Sequence, residues 1–460
     1  MEIPAMVRQQ RRFFQTGATR TLEFRLSQLD KLSAVLHKFE PRLLNALQLD
    51  LRKSPFQGYA TELGLVHAEL RHARKHLCRW AAPSRRKTPW FAAPSSGCVQ
   101  CEPLGVALIM GPWNYPVSLV LTPLVSAIAA GNCVVLKPSE LAPHTAETIA
   151  AMAADAFPND YISVVTGGPD VAELLLRERF DKIFFTGSTR IGRLAMAAAA
   201  RHLTPVTLEL GGKCPAIVCA DAAIELAARR IAWGKFMNAG QTCVAPDFVL
   251  VERGVARAFL GALERSLREF YGENPAMSPD YGRIVNKHHF ERLVGYLRDG
   301  KVACGGVHAA SELYIAPTVL TDVSPDSAVM QEEIFGPILP VLEFGELDEA
   351  IAAVKDRPTP LALYVFTRSR QTETRVIDEI RSGGVCVNDV VMHIVGFDLP
   401  FGGLGDSGMG AYHGRAGFDA FSHQRSIMRR GTWFDAPVRY PPARMSLDWL
   451  KRAMRFLLID

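Results

Sequence analysis

The sequence predicts an α/β protein built from two doubly wound domains. Three observations carry that prediction. From Leu104 onward, short apolar segments rich in β-branched residues alternate with helix-length segments. The alternation comes in two series that meet at Gly211-Gly212. The chain has 460 residues and is 48% hydrophobic, which is enough to bury two sizeable cores.

Taken in order, the first eighty residues read as helices. Leu22, Leu26, Leu29 and Leu36 recur at helical spacing, and Leu43, Leu44, Leu47 and Leu51 continue the stripe. The first series predicts strands at Leu104–Met110, Cys133–Leu136, Ile162–Thr166, Lys182–Thr186 and Val206–Leu210. Helices are expected between them at Ser118–Ala130, Thr145–Ala156, Val171–Glu178 and Ile191–His202. Apolar strands separated by helices imply a parallel sheet covered on both faces, and right-handed crossovers make it Rossmann-like. The second series predicts strands at Ala216–Cys219, Phe248–Val251, Lys301–Ala303, Ile338–Leu342, Ala362–Phe366 and Gly384–Asn388. Its expected helices are Ala222–Phe236 and Ala256–Tyr271. After that the pattern changes: Leu399–Gly410 is glycine-rich, and residues 437–444 are rich in proline and arginine.

Composition narrows the function. A formal net charge of +5 from 52 basic and 47 acidic residues gives no ground for a nucleic-acid partner. The basic cluster from Arg71 to Lys87 reads as a solvated helix face and loop. Nine scattered cysteines, an odd number in a long chain, suggest free thiols in a reducing, cytoplasmic compartment. Cys98 and Cys101 form a CxxC without a second pair, so no metal is expected. Arg8, Arg11 and Arg12 are followed by no apolar stretch, which predicts no secretory signal. The uncharged run from Val117 to Leu136 has membrane-span length, but Gly131-Asn132 breaks it into a helix and a strand.

Two segments point to chemistry. Cys243 sits in Asn238-Ala239-Gly240-Gln241-Thr242-Cys243, and Glu209 in Leu208-Glu209-Leu210-Gly211-Gly212-Lys213. A thiol and a carboxylate, each in a glycine-containing turn, suit a nucleophile and a base at strand ends. The alternatives are an inert buried thiol, and a glutamate that caps a helix or pairs with Lys213. A free cysteine titrates near 8.5, so only a few per cent is thiolate at neutral pH unless the site lowers that value. Gly187, Ser188 and Gly192 lie between a strand and a helix, where backbone N–H groups would meet a pyrophosphate; without GxGxxG the signal is weak. Lys235 reads as an exposed helix lysine, and His413 as a structural, hydrogen-bonded histidine.

Seven motifs in collinear order resemble the NAD(P)-dependent aldehyde dehydrogenase superfamily. They are Gly111-Pro112-Trp113-Asn114-Tyr115-Pro116, Lys137-Pro138-Ser139-Glu140, Phe185-Thr186-Gly187-Ser188-Thr189, residues 208–213, Gly240–Cys243, Glu332-Glu333-Ile334-Phe335-Gly336-Pro337 and Pro400-Phe401-Gly402-Gly403. The short N-terminus and Gly408-Met409-Gly410-Ala411-Tyr412-His413-Gly414 resemble its class 3 branch. The resemblance implies oxidation of medium- to long-chain aliphatic or aromatic aldehydes to acids through a thiohemiacetal and a thioester on Cys243. Asn114 and the Cys243 N–H would hold the oxyanion, and Glu209 would activate water. Lys137 and Glu140 would bind the adenine ribose, and Glu333 and Phe335 the nicotinamide ribose and ring. A carboxylate at 140 favours NAD and leaves NADP open.

The same resemblance implies a cofactor domain of residues 1–83 and 103–210 and a catalytic domain of 211–398. Segments 84–102 and 399–445 would form a small β oligomerisation arm and bridge of a homodimer. The 446–460 tail is amphipathic; packing on the protein is favoured over peripheral membrane contact, and the tail has no cysteine for prenylation. Two rivals remain: a CoA-acylating or acid-reducing relative, against which a glutamate at 209 argues, and an inactive structural homologue.

Overall fold

The computed structural model describes residues 2–442 and 445–457. The chain divides into a large unit, residues 1–81 with 102–423, and a small one, residues 82–101 with 424 onward.

In the large unit the N-terminal third is helical, as the leucine spacing predicts. Thr21 caps the Leu22–Leu51 helix by accepting the Phe24 N–H. Leu29, Leu32, Leu36, Leu43, Leu47 and Leu51 form its buried stripe, while Leu22 is exposed. Arg52, in the left-handed region at φ 58°, ends it. A π-turn at Tyr59–Leu63 leads into the helix Gly64–Ala81, whose charged face carries the exposed Arg71, Arg74, Lys75 and Arg79.

The first alternating series folds into a six-stranded sheet. Its order is Gly408–Met409, Val206–Glu209, Lys182–Thr186, Val106–Met110, Cys133–Lys137 and Ile162–Val164. The last five are mutually parallel. The chain starts in the middle, at Val106–Met110, winds one way, then returns to Lys182–Thr186 on the other side. The switch point therefore lies between those two strands, where ligands bind beyond the carboxyl ends. The Ser118–Ala130 helix is buried along almost its whole length, which explains its uncharged sequence. Among the described residues no helix is long and apolar enough to cross a membrane.

The second series forms a seven-stranded sheet in the order Lys301–Cys304, Thr318–Thr321, Ile338–Phe344, Phe248–Glu252, Pro215–Val218, Ala362–Phe366 and Gly384–Val387. Only the Lys301–Cys304 edge is antiparallel. The sequence pattern misses Thr318–Thr321 and the helices Lys287–Tyr296, Leu347–Lys355 and Arg370–Glu379. The strand is four residues long, and the helices bury only one to three side chains each, so their apolar stripes are thin.

The glycine-rich segment after Leu399 belongs to the large unit as far as residue 423. Gly408–Met409 pairs antiparallel with Leu208–Glu209, beside the proposed base. Gly408 has φ +145°, and a Cβ there would sit 2.2 Å from the Leu208 carbonyl oxygen, so only glycine allows the pairing.

The small unit holds Ser84–Arg86 antiparallel to Ser95–Pro103, with Ser422–Arg430 as the third strand of that sheet. The tail forms a helix over Leu447–Leu457. The remaining tail residues Leu458, Ile459 and Asp460, and Arg444 of the arginine-rich stretch, lie outside the described residues.

Candidate active site

Cys243, Glu209, Asn114, Lys137, Glu140, Gly187, Ser188, Glu333 and Phe335 all line one cleft of about 1580 Å³. Four of them follow directly from strand ends of the six-stranded sheet: Asn114 after Met110, Lys137 at the end of its strand, Gly187 after Thr186, and Glu209. The volume exceeds that of a typical single-ligand pocket and suits a long ligand together with a second, smaller one.

Cys243 is delivered by the helix Ile224–Phe236 and a tight turn. Asn238, Ala239 and Gly240 all have left-handed backbones, at φ 53°, 52° and 75°. A Cβ on Gly240 would lie 2.2 Å from the Gly336 carbonyl oxygen, so glycine is required where this turn meets the Glu333–Pro337 loop. The thiol is half-buried and reaches the cleft. Its surroundings are dry enough to push its pKa up to about 12. The Glu333 and Glu209 carboxyls add to this, and the N–H groups of Cys243 and Val244 oppose it. A site that lowers the thiol pKa is what sequence reasoning asks for, and the structure does the opposite. The resting group is therefore a neutral thiol, and any role as a nucleophile would require it to lose its proton.

Glu209 is buried, and neither carboxyl oxygen has a hydrogen-bond partner. Lys213, the partner suggested by sequence proximity, instead bonds Asp247 and the carbonyls of Val329 (2.8 Å) and Glu332 (2.9 Å). Burial therefore raises the Glu209 pKa well above the ordinary carboxylate range, with no cation to oppose it. The backbone of Glu209 is fixed even though its side chain is free: its carbonyl accepts the Gly187 N–H at 3.0 Å.

Asn114 is 2% exposed. Its Nδ2 donates to the Gln241 carbonyl at 3.0 Å, and its Oδ1 is buried without a partner. One amide hydrogen is thus tied to the Cys243 turn, and the other remains for a ligand.

The dinucleotide fit rests on several features of the cleft. Ser188 caps the Thr189–Ala200 helix, and the first backbone N–H groups of that helix are free of helical partners. A Cβ on Gly187 would lie 2.7 Å from the Phe185 ring, so the approach to that helix start must stay bare. Gly192 does not line the cleft: its Cβ would strike Leu210 Cδ2 at 2.6 Å, so it serves close packing of helix on strand. Lys137 and Glu140 bond each other at 2.6 Å. Glu333 is pushed up to about 8 by burial and Asp247, against the Gly212 N–H, Lys213 and Lys235. Phe335 holds a left-handed backbone at φ 48° and meets Trp113 edge-on at 5.3 Å. Arg292 steadies that loop through the Glu333 (3.3 Å) and Ile334 (2.8 Å) carbonyls. Among the described residues no cluster of metal-ligating side chains occurs.

His413 bonds Glu69 through Nδ1 at 3.3 Å, as a structural histidine would. Lys235, expected on an exposed face, is instead wholly buried with no partner for Nζ. Its helix is covered on that side, and burial lowers its pKa to about 8, against the pull of Asp247. Between pH 8 and the unfolded value near 10.5 the unfolded chain binds the extra proton, so stability rises with pH there. Below pH 8 the buried charge carries its full cost, roughly 3 kcal/mol. Lys235→Met is therefore expected to raise the denaturation midpoint at pH 7, with the gain fading by pH 10. Denaturant titrations at both pH values test this, and an unchanged or lower midpoint at pH 7 refutes it.

The sequence places Asn238 and Gln241 in the cysteine segment without a role of their own and does not single out Asp247; their side chains hold the Cys243 turn and its supporting loop by hydrogen bonds. Amide and carboxylate side chains in loops carry no periodic signal.

A doubly wound sheet whose switch-point cleft also holds a cysteine and an unpaired glutamate defines a dinucleotide-using α/β oxidoreductase. The profile of the aldehyde dehydrogenase family matches residues 1–427. The chain is 47% identical to mouse aldehyde dehydrogenase family 3 member A2, over 96% of this chain and 92% of that one. It is 46% identical to the dog dimeric NADP-preferring aldehyde dehydrogenase, over 96% and 98%. A solved structure of a substrate-bound Staphylococcus aureus AldH superposes with a TM-score of 0.97 at 44% identity, covering 99% of this chain and all of that one. The chain belongs to the aldehyde dehydrogenase family, in its class 3 branch. It is an NAD(P)-dependent enzyme that oxidises aldehydes to carboxylic acids.

Proposed function

We propose that Cys243 is the nucleophile, Asn114 the oxyanion donor and Glu209 the base of this oxidation. The observation that carries the reading is that a thiol and a partnerless buried carboxyl open on the same cleft. Cys243 Sγ adds to the aldehyde carbon as its proton passes through the cleft to solvent water, where it is the one proton the whole reaction releases. The resulting oxyanion is held by the free Asn114 amide hydrogen and the Cys243 N–H. When bound, NAD(P)+ supplies the acceptor that takes two electrons and the aldehydic hydrogen from that carbon. Lys137 and Glu140 would hold its adenine ribose, Gly187 and Ser188 its pyrophosphate, and Glu333 and Phe335 its nicotinamide end, with Gly192 letting the helix approach. Glu209 then takes a proton from water, whose oxygen attacks the thioester. The carboxylic acid leaves and the thiol is restored.

NAD is the favoured cofactor because the Glu140 carboxylate would repel a 2′-phosphate; its pairing with Lys137 softens that repulsion and keeps NADP as a second substrate. Apolar aldehydes of medium to long chain, or aromatic ones, are the proposed substrates. Supporting this, the apolar side chains of Trp113, Leu119 and Phe335 line the cleft that Cys243 reaches. We assign residues 1–83 and 103–210 to cofactor binding and 211–398 to catalysis. Residues 84–102 and 399–445 would bridge a homodimer, in keeping with the relative named as dimeric. The nine free thiols favour the cytoplasm.

Aldehydes of increasing chain length, scored by kcat/KM with NAD and with NADP, test the specificity. The constant is expected to climb with chain length and to be larger with NAD. Each buried methylene is worth about 0.8 kcal/mol, roughly fourfold in kcat/KM. A flat series, or acyl-CoA formed when coenzyme A is supplied, overturns the proposal.

A further inference from the structure

Lys53 and Glu62 form an ion pair with almost no solvent contact: their side chains are 1% and 0% exposed. Lys53 Nζ donates to Glu62 Oε1 at 2.6 Å and to the backbone carbonyl of Asn114 at 2.9 Å. It also lies 3.9 Å from the centre of the Tyr115 ring. The other Glu62 oxygen accepts the N–H of Val117 at 2.8 Å and of Ser118 at 3.3 Å, at the start of the Ser118–Ala130 helix. One ion pair therefore grips the 114–118 turn at both ends. Asn238 Nδ2 completes the grip on the Asn114 carbonyl at 2.9 Å. Glu62 sits in the Tyr59–Leu63 π-turn, an irregularity that frequently marks a functional position.

Taking two charges out of water is costly, and an apolar pair of similar volume would fill this space more cheaply. An apolar pair could not hold a carbonyl oxygen and two amide hydrogens. We propose that Lys53 and Glu62 are positioning residues that fix the Asn114 backbone, so that its side-chain amide meets the developing oxyanion. This rests on the oxyanion role of Asn114 given above. A peptide shifted by about 1 Å would misplace that amide, and misplacement on this scale costs on the order of 100-fold in rate.

Removing one partner would leave a stranded charge and destabilise the fold, so Lys53→Met and Glu62→Gln are combined. The K53M/E62Q enzyme is expected to regain most of the thermal midpoint lost by K53M. Its kcat should nevertheless stay roughly 10- to 100-fold below wild type, with the dinucleotide KM unchanged. Asn114→Ala should lower kcat by about 10²–10³-fold. Adding K53M/E62Q to N114A should then cost less than ~3-fold more, because the group being positioned is gone.

Recovery of kcat along with the midpoint overturns the proposal. So does an equal loss of kcat in both backgrounds, or failure of K53M/E62Q to fold, which assigns the pair to the fold alone. Wild-type turnover by N114A itself sinks the oxyanion reading, and the positioning role with it. An impaired N114A beside a fully active K53M/E62Q sinks the positioning role only.

Discussion

Cys243→Ser is expected to lose aldehyde oxidation by about 10⁴-fold or more while dinucleotide binding and the thermal midpoint stay near wild type; losses of up to about 10⁶ follow removal of a covalent nucleophile. The change replaces one sulfur by oxygen at a half-buried position, so little packing is disturbed. The serine hydroxyl is far less nucleophilic than a thiol and has no base tuned to it. Cys214 cannot take over: it is fully buried, and its thiol donates to the Cys243 carbonyl at 3.4 Å. The pH behaviour of the wild-type thiol gives an independent check. With a pKa pushed up to about 12, the protein without dinucleotide should be alkylated at Cys243 slowly at neutral pH. The rate should climb about tenfold per pH unit well past pH 9, since only the thiolate reacts. Peptide mapping separates this site from the exposed Cys78. Near wild-type turnover by the serine variant would end the assignment. An alkylation rate that levels off below pH 8 would show that the site lowers the thiol pKa.

How much of this was legible beforehand follows from where each signal resides. The strands of both sheets repeat a local contrast, apolar segment against amphipathic helix, so Val106–Met110 or Ala362–Phe366 can be read from a few residues. Thr318–Thr321 escaped because its place in the sheet is set by parallel neighbours distant in sequence, not by its own four residues. Cys243 and Glu209 stand out because glycines needed for close approach surround them. Gly240 and Gly211 show that need in their contacts with Gly336 and Glu333. Lys235 departs from its sequence expectation because a lysine on an amphipathic helix is usually solvated, and only the packing around it shows otherwise. The pairing of Lys53 with Glu62 and its grip on Asn114 join residues 61 apart in sequence, with no motif to announce them. Environment, not identity, also sets the thiol pKa: Cys243 is raised by the burial and carboxyls that the fold brings round it.

Glu209→Gln is expected to stop the cycle after oxidation and before hydrolysis. The glutamine keeps the shape of the side chain, and no existing hydrogen bond or ion pair of the carboxyl is lost, because it has none. What disappears is the ability to take a proton from water, a contribution of about 10²–10⁴-fold. Mixing the variant with aldehyde and NAD should therefore give a burst of about one equivalent of NADH, then slow turnover, with an acyl adduct on Cys243 visible in the intact mass. The pH profile carries the same information with a definite sign. A base works only when deprotonated, and burial holds Glu209 protonated well above the usual carboxylate range. Wild-type kcat should then fall on acidification at a pH higher than 4.5, and the glutamine variant should lose that limb. Rapid steady turnover without an adduct would remove Glu209 from the role. It would shift attention to Glu333, the other carboxyl that bears on Cys243, whose pKa of about 8 also suits proton transfer near neutrality.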